Sequence, residues 1–103
     1  MSVFDDIQNE KPLDELKSFQ SEFLEDRNAE LKNLKQAVET QDFETIKKIS
    51  HNWKGFSEPY GFHGLAVLSR QIEISAKSQN SNECESYLKD IEKYLEQKAT
   101  YIS

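Results

Sequence analysis

Residues 42–62 read DFETIKKISHNWKGFSEPYGF. Within that stretch Ile46, Ile49, Trp53, Phe56 and Tyr60 recur every three or four residues. At ~100° per residue they fall within about 40° of one direction. The spacing predicts an amphipathic helix. Asp42 stands just ahead of the periodic run, where its carboxylate can cap the first free N–H groups. Pro59 and Gly61 are expected to stop the helix, and Phe56 is expected to turn inward with Trp53.

Similar patterns lie on both sides. Upstream, Leu13, Leu16, Phe23, Leu24, Leu31, Leu34 and Val38 share one side of a helix predicted from Pro12 to about Thr40, with Pro12 at a first helical position that lacks nothing by having no N–H. Gln20 and Arg27 interrupt that stripe, so its middle faces either a polar helix edge or solvent. Downstream, Leu65, Leu68, Ile72 and Ala76 predict a helix from Phe62 to about Lys77, with Val67 and Ile74 on its outer side, either beneath residues 1–11 or as a docking patch. Ser78-Gln79-Asn80-Ser81-Asn82 reads as a turn. A last helix carries Cys84, Leu88, Ile91, Leu95 and Ile102, with Tyr87, Tyr94 and Tyr101 along its edge.

Four helices with short connections and one apolar face each make an all-α, antiparallel four-helix bundle of up-down-up-down order over residues 12–103. Residues 1–11 hold only Val3, Phe4 and Ile7 as apolar anchors. They form either a short extra helix across the bundle or a frayed arm.

The chain has 103 residues, enough for one core but not two. Its net charge of −6 argues against a nucleic-acid surface, whose affinity comes from basic residues, and against an anionic membrane. The single cysteine, Cys84, excludes an internal disulfide and a thiolate zinc site, and its apolar position predicts a buried, inert thiol. With no signal peptide and no stretch approaching a membrane span, a cytoplasmic location is expected. His51 and His63 are too few for a metal site, so none is expected.

On the predicted second helix His51 lies almost opposite the apolar stripe, among Glu44, Lys47, Lys48, Lys54, Gly55 and Glu58. A histidine beside lysines is ordinarily a solvated charged face. Here Lys54 follows three residues later, within reach of a group carried on the ring. An imidazole in water titrates at about 6.5, which leaves a neutral nucleophile near neutral pH. An ammonium beside it opposes the charge of a phosphoryl group. Gly55 costs about 1 kcal/mol relative to alanine inside a helix, and clearance for a partner approaching the ring explains that cost.

The chain resembles a histidine-containing phosphotransfer (HPt) domain of two-component phosphorelays. It is also similar to the phosphorylatable first domain of chemotaxis histidine kinases. The resemblance spans about residues 13–102 and rests on His51, Lys54 and Gly55, the break Tyr60-Gly61-Phe62, and Leu65, Leu68 and Ile72-Glu73, with Asp42 in keeping. It implies that His51 is the phospho-acceptor, Lys54 its charge partner, and Glu73 the carboxylate that takes Nδ1–H and leaves Nε2 as nucleophile. For Glu73 to reach His51 the two helices must be offset, because His51 points away from its own apolar stripe. Phe56 stands where the family usually has a small residue, and Glu58 and Pro59 also depart from its pattern. Lys47, Lys48, Phe56 and Glu58 are the expected partner-docking residues.

The resemblance further implies response-regulator receiver domains and/or a histidine kinase as partners, magnesium supplied by the receiver, no cofactor of the chain's own, and a monomer. No glycine-rich phosphate loop is present, so the expected role is phosphoryl carrier and substrate rather than complete enzyme. Receiver-to-receiver transfer is the leading reading. Phosphorylation by an ATP-dependent kinase domain is the first alternative, and a helical binding module with His51 unphosphorylated is the second.

Overall fold

The computed structural model describes residues 2–102, so Met1 of the expected arm and Ser103 of the expected bundle lie outside the described residues. Four helices form: α1 (Gln20–Glu39), α2 (Phe43–Phe56), α3 (His63–Lys77) and α4 (Ser81–Ala99), preceded by 3₁₀ turns at Ile7–Asn9 and Asp14–Phe19. α2 packs on α3 and α3 on α4, while α1 closes the bundle against α4 and α2. Leu34, Ile46, Trp53, Phe62, Leu65, Ile72, Ile91 and Leu95 fill the interior, with Cys84 among them.

Two of the three connections use one device. At the end of α1, Asp42 N bonds Ala37 O and Gln41 N bonds Val38 O. Asn80 N to Ser75 O and Gln79 N to Ala76 O repeat the pattern after α3. Gln41 and Gln79 sit in the left-handed region at φ 55° and 56°, a helix stop in which glycine is usual. A cap follows each at once. Asp42 accepts from Thr45 N at 3.2 Å and Asn80 from Glu83 N at 3.1 Å, so the next helix starts without a loop.

The α2–α3 connection is held from outside. Its three successive carbonyls, Pro59, Tyr60 and Gly61, accept from Leu13 N (2.9 Å), Gln20 Nε2 (2.9 Å) and Lys98 Nζ (2.7 Å). Gly61 has φ 82°, and a Cβ there would come within 2.6 Å of Pro12 N, so neither the backbone nor the space admits another residue. Glu10 completes the arrangement. One of its oxygens accepts from Gly64 N at the start of α3 (2.6 Å), the other from Tyr94 OH (2.5 Å) and Lys98 Nζ (2.7 Å). The Glu10 and Lys98 side chains are only 5% and 2% exposed, so this is an ion pair inside the protein.

Several expectations are corrected here. The first helix begins at Gln20 rather than Pro12. Residues 14–19 wind as 3₁₀, and Leu13 and Phe19 stay exposed, because the segment is tied through Leu13 to the α2–α3 connection. α2 ends at Phe56, short of Pro59, whose ring disfavours helical backbone in the residue before it. Phe56 does not join Trp53 inside; it stands 37% exposed. Tyr94 is fully buried rather than at an edge, its ring seated on Gly64, where a Cβ would lie 2.4 Å from Cε2. The first eleven residues are no frayed arm where described. Ile7 is core, Val3 and Phe4 pack against it, and the Ile7–Asn9 turn touches α4, leaving Ile74 exposed.

Candidate functional site

Of the polar residues that break the α1 stripe, Gln20 bonds the α2–α3 connection, whereas Arg27, with Glu30, faces α2. Glu30 accepts from Trp53 Nε1 at 2.8 Å, and Arg27 Nε lies 2.7 Å from the same Glu30 oxygen. The buried Arg27 guanidinium lies 4.4 Å from the Phe23 ring centroid and 5.0 Å from that of Phe56. The indole thus anchors the inner face of α2 to α1, and the outer face is left for other groups.

On the α3 side of that outer face the structure brings His51, Lys54 and Glu73 together. His51 Nδ1 lies 3.0 Å from Glu73 Oε2, and Lys54 Nζ donates to Glu73 Oε1 at 2.7 Å. Glu73 is only 6% exposed while the His51 ring is 67% exposed. The required offset is met by the length of the glutamate, which starts in the buried stripe of α3 and reaches out along the α2–α3 seam.

Burial raises the Glu73 carboxyl, but bonds from Lys54 and His51 and the charges of Lys54 and Lys77 outweigh it and hold the carboxyl below its ordinary 4.5. It is therefore ionised near neutral pH and can only accept. His51 Nδ1 must then carry the hydrogen of their shared bond. That fixes the tautomer and leaves the Nε2 lone pair on the solvent side.

The remaining candidates do not converge on His51. Gly55 leaves open space, with nothing within 4 Å of an ideal Cβ. Lys47 is paired with Glu44 at 2.6 Å. Lys48 is exposed beside a polar groove between α1 and α2, with Asn33, Gln36 and Asn52. Glu58 pairs with His63 Nδ1 at the start of α3. Phe56 lies on the α1 side against Phe23 and Arg27. Sequence reasoning missed the roles of Arg27, Glu30 and Glu10. Arg27 had left a signal, as a charge in the middle of an apolar stripe.

Among the described residues no group of three or more His, Cys, Asp or Glu side chains is arranged to hold a metal ion, and no helix is long and apolar enough to cross a membrane.

The fold and site define a helical bundle that presents an open imidazole, His51, anchored from behind by a buried carboxylate. A family model described as Hpt domain matches residues 18–100, and the chain belongs to this family. Membership places it in the phosphotransfer of two-component signalling, where Hpt domains interact with receiver domains and kinases. No curated protein and no solved structure gives a significant match.

Proposed function

We propose that His51 carries the phosphoryl group, taking it on Nε2 from the phospho-aspartate of one receiver domain and passing it to another. The observation that supports this most directly is the Nδ1–Glu73 bond on a ring otherwise open to solvent. In the forward step the Nε2 lone pair forms a bond to phosphorus while the bond from phosphorus to the aspartyl oxygen breaks. The aspartate leaves as a carboxylate. The ring keeps its Nδ1 hydrogen and becomes cationic, and the Glu73 carboxylate lies against that new charge. Passing the group on reverses these steps.

Lys54 serves both ends of this chemistry. An ammonium has three N–H donors. One holds Glu73, and the others are available to the phosphoryl oxygens, where they offset charge. Magnesium for the transfer belongs to the receiver. Lys47, Lys48, Phe56 and Glu58 lie on the surface that a receiver covers.

The test is transfer from a radiolabelled phospho-receiver, or from phosphoramidate, to wild type and His51→Gln. Acid-labile, alkali-stable label on wild type alone is expected. Equal label on His51→Gln, or none on wild type from several competent donors, would overturn the assignment.

Gly55→Ala should separate stability from transfer. Beyond its own helix backbone a methyl group there meets nothing within 4 Å among the described residues, so the helix gains about 1 kcal/mol, while the methyl intrudes on the approach to the ring. A thermal melt should rise by a few degrees as receiver-driven transfer slows. A variant that is more stable and equally fast would remove the clearance role.

A further inference from the structure

On the α1 side of α2, away from His51, runs an open-sided groove of about 390 Å³ lined by Phe19, Glu22, Phe23, Asp26, Phe56 and Tyr60, with Arg27 at its floor. Its walls are aromatic. Phe23 stacks on Tyr60 at 4.4 Å and meets Phe56 edge-on at 6.0 Å, and Phe19 is exposed at the mouth. The Arg27 guanidinium already lies over the Phe23 and Phe56 rings and is ion-paired with Glu30.

Glu22 and Asp26, one helical turn apart on α1, are exposed and join no hydrogen bond or ion pair among the described residues. The exposed ring surfaces of Phe19 and Phe56, beside two unanswered carboxylates, suit a cation on an apolar stem. The stem covers the rings and the charge meets the carboxylates.

The groove lies around α2 from His51, with Gly55 between them. At ~100° per residue, Gly55 lies about 40° around α2 from His51, and Phe56 about 100° further. Phe56 is also about 7.5 Å along the axis from His51. A protein seated on His51 Nε2 therefore crosses the bare helix at Gly55 and meets the groove beyond.

We propose that this groove selects among receiver domains by accepting a lysine or arginine side chain from the docking surface of the partner; the proposal rests on the phosphotransfer reading of His51. Receivers with a basic residue at that place are preferred, and those with an acidic one are repelled by Glu22 and Asp26.

The experiment compares two donors on the same variants. Receiver domains loaded with acetyl phosphate, chosen among those that transfer to wild type, probe docking. Phosphoramidate, which needs no docking surface, gives the reference rate. For Glu22→Lys/Asp26→Lys the ratio of receiver-driven to phosphoramidate-driven labelling should fall about tenfold or more. The loss should lie in KM, and the salt dependence of the wild-type reaction should reverse, because added salt then screens a repulsion between like charges.

Phe56→Ala should also raise KM but keep the salt dependence. On the receiver, one Lys→Ala or Arg→Ala change should show coupling to the Glu22/Asp26 pair in a double-mutant cycle. A ratio within about twofold of wild type for both the double variant and Phe56→Ala, or a loss shared equally by both donors, would overturn the groove's role. If neither phosphoramidate nor any of several competent receivers labels wild-type His51, the phosphotransfer reading itself falls, and the groove's assignment with it.

Discussion

Glu10→Ala is expected to cost the domain about 3–5 kcal/mol, the range for breaking a buried ion pair from one side. The carboxylate has three partners in Gly64 N, Tyr94 OH and Lys98 Nζ. Removing it strands two donors and leaves an ammonium held, among the described residues, by Gly61 O and the Phe62 ring alone. A chain of this size has about 5–15 kcal/mol in all, so the midpoint of a thermal melt should drop by more than about 10 °C.

Lys98→Met should cost less, because Glu10 keeps the Gly64 and Tyr94 donors and the methionine fills the space. Chemical denaturation of both variants checks the order. If Lys98→Met proves the more damaging, the carboxylate is not the centre of this cluster. Burial, then the adjacent Glu10 carboxylate, push the Tyr94 phenol well above its ordinary range, so Tyr94 remains a donor at any pH the fold survives.

Glu73→Gln should slow phosphoryl transfer by about two orders of magnitude, within the range for groups that assist a transition state by proton or charge placement. The amide can still accept from His51 Nδ1, but it turns an NH₂ towards Lys54 and offers no charge to the cationic phosphorylated ring. Glu73→Ala should be as slow or slower, and its imidazole should lose the single-tautomer pattern in a nitrogen-15 NMR spectrum. Transfer at the wild-type rate in both variants would rule out the anchoring role.

The same residue predicts a pH dependence. Its folded carboxyl lies below the ordinary 4.5, so the stability it gives is complete above that value and is lost as pH falls through the folded titration. The gap in denaturation midpoint between wild type and Glu73→Gln should therefore be full above about pH 5 and close below it.

The bundle and the α2 half of the candidate site were legible because both are written locally, whereas Glu73, on α3, entered only through the family resemblance. Asp42, the Ile46–Trp53 stripe and the His51, Lys54, Gly55 spacing all fall within a few turns of one helix. What the sequence concealed depends on distant partners. Lys98 reads as a surface residue at the end of a helix until Glu10, 88 positions away, comes to meet it. Tyr94 reads as an edge residue because its seat on Gly64 belongs to another helix. The start of α1 was misplaced for a different reason. A 3₁₀ turn repeats every three residues, so Leu13 and Leu16 satisfy its spacing as well as that of an α-helix. Phe56 fitted the apolar stripe of α2 by angle. Arg27, on a neighbouring helix, gave it a partner at the surface instead.

The tie between Glu10 and Lys98 also bears on how the molecule comes apart. The helix pairs meet through short links and can dock early, whereas this bond closes a loop of nearly the whole chain and must wait for the bundle to be in place. Interactions absent from the transition state act on the rate of escape from the native state. In a chevron plot the destabilisation by Glu10→Ala should therefore fall almost wholly on the unfolding limb, with refolding at the wild-type rate. The buried pair works as a clasp, setting how long the domain stays closed rather than how quickly it closes.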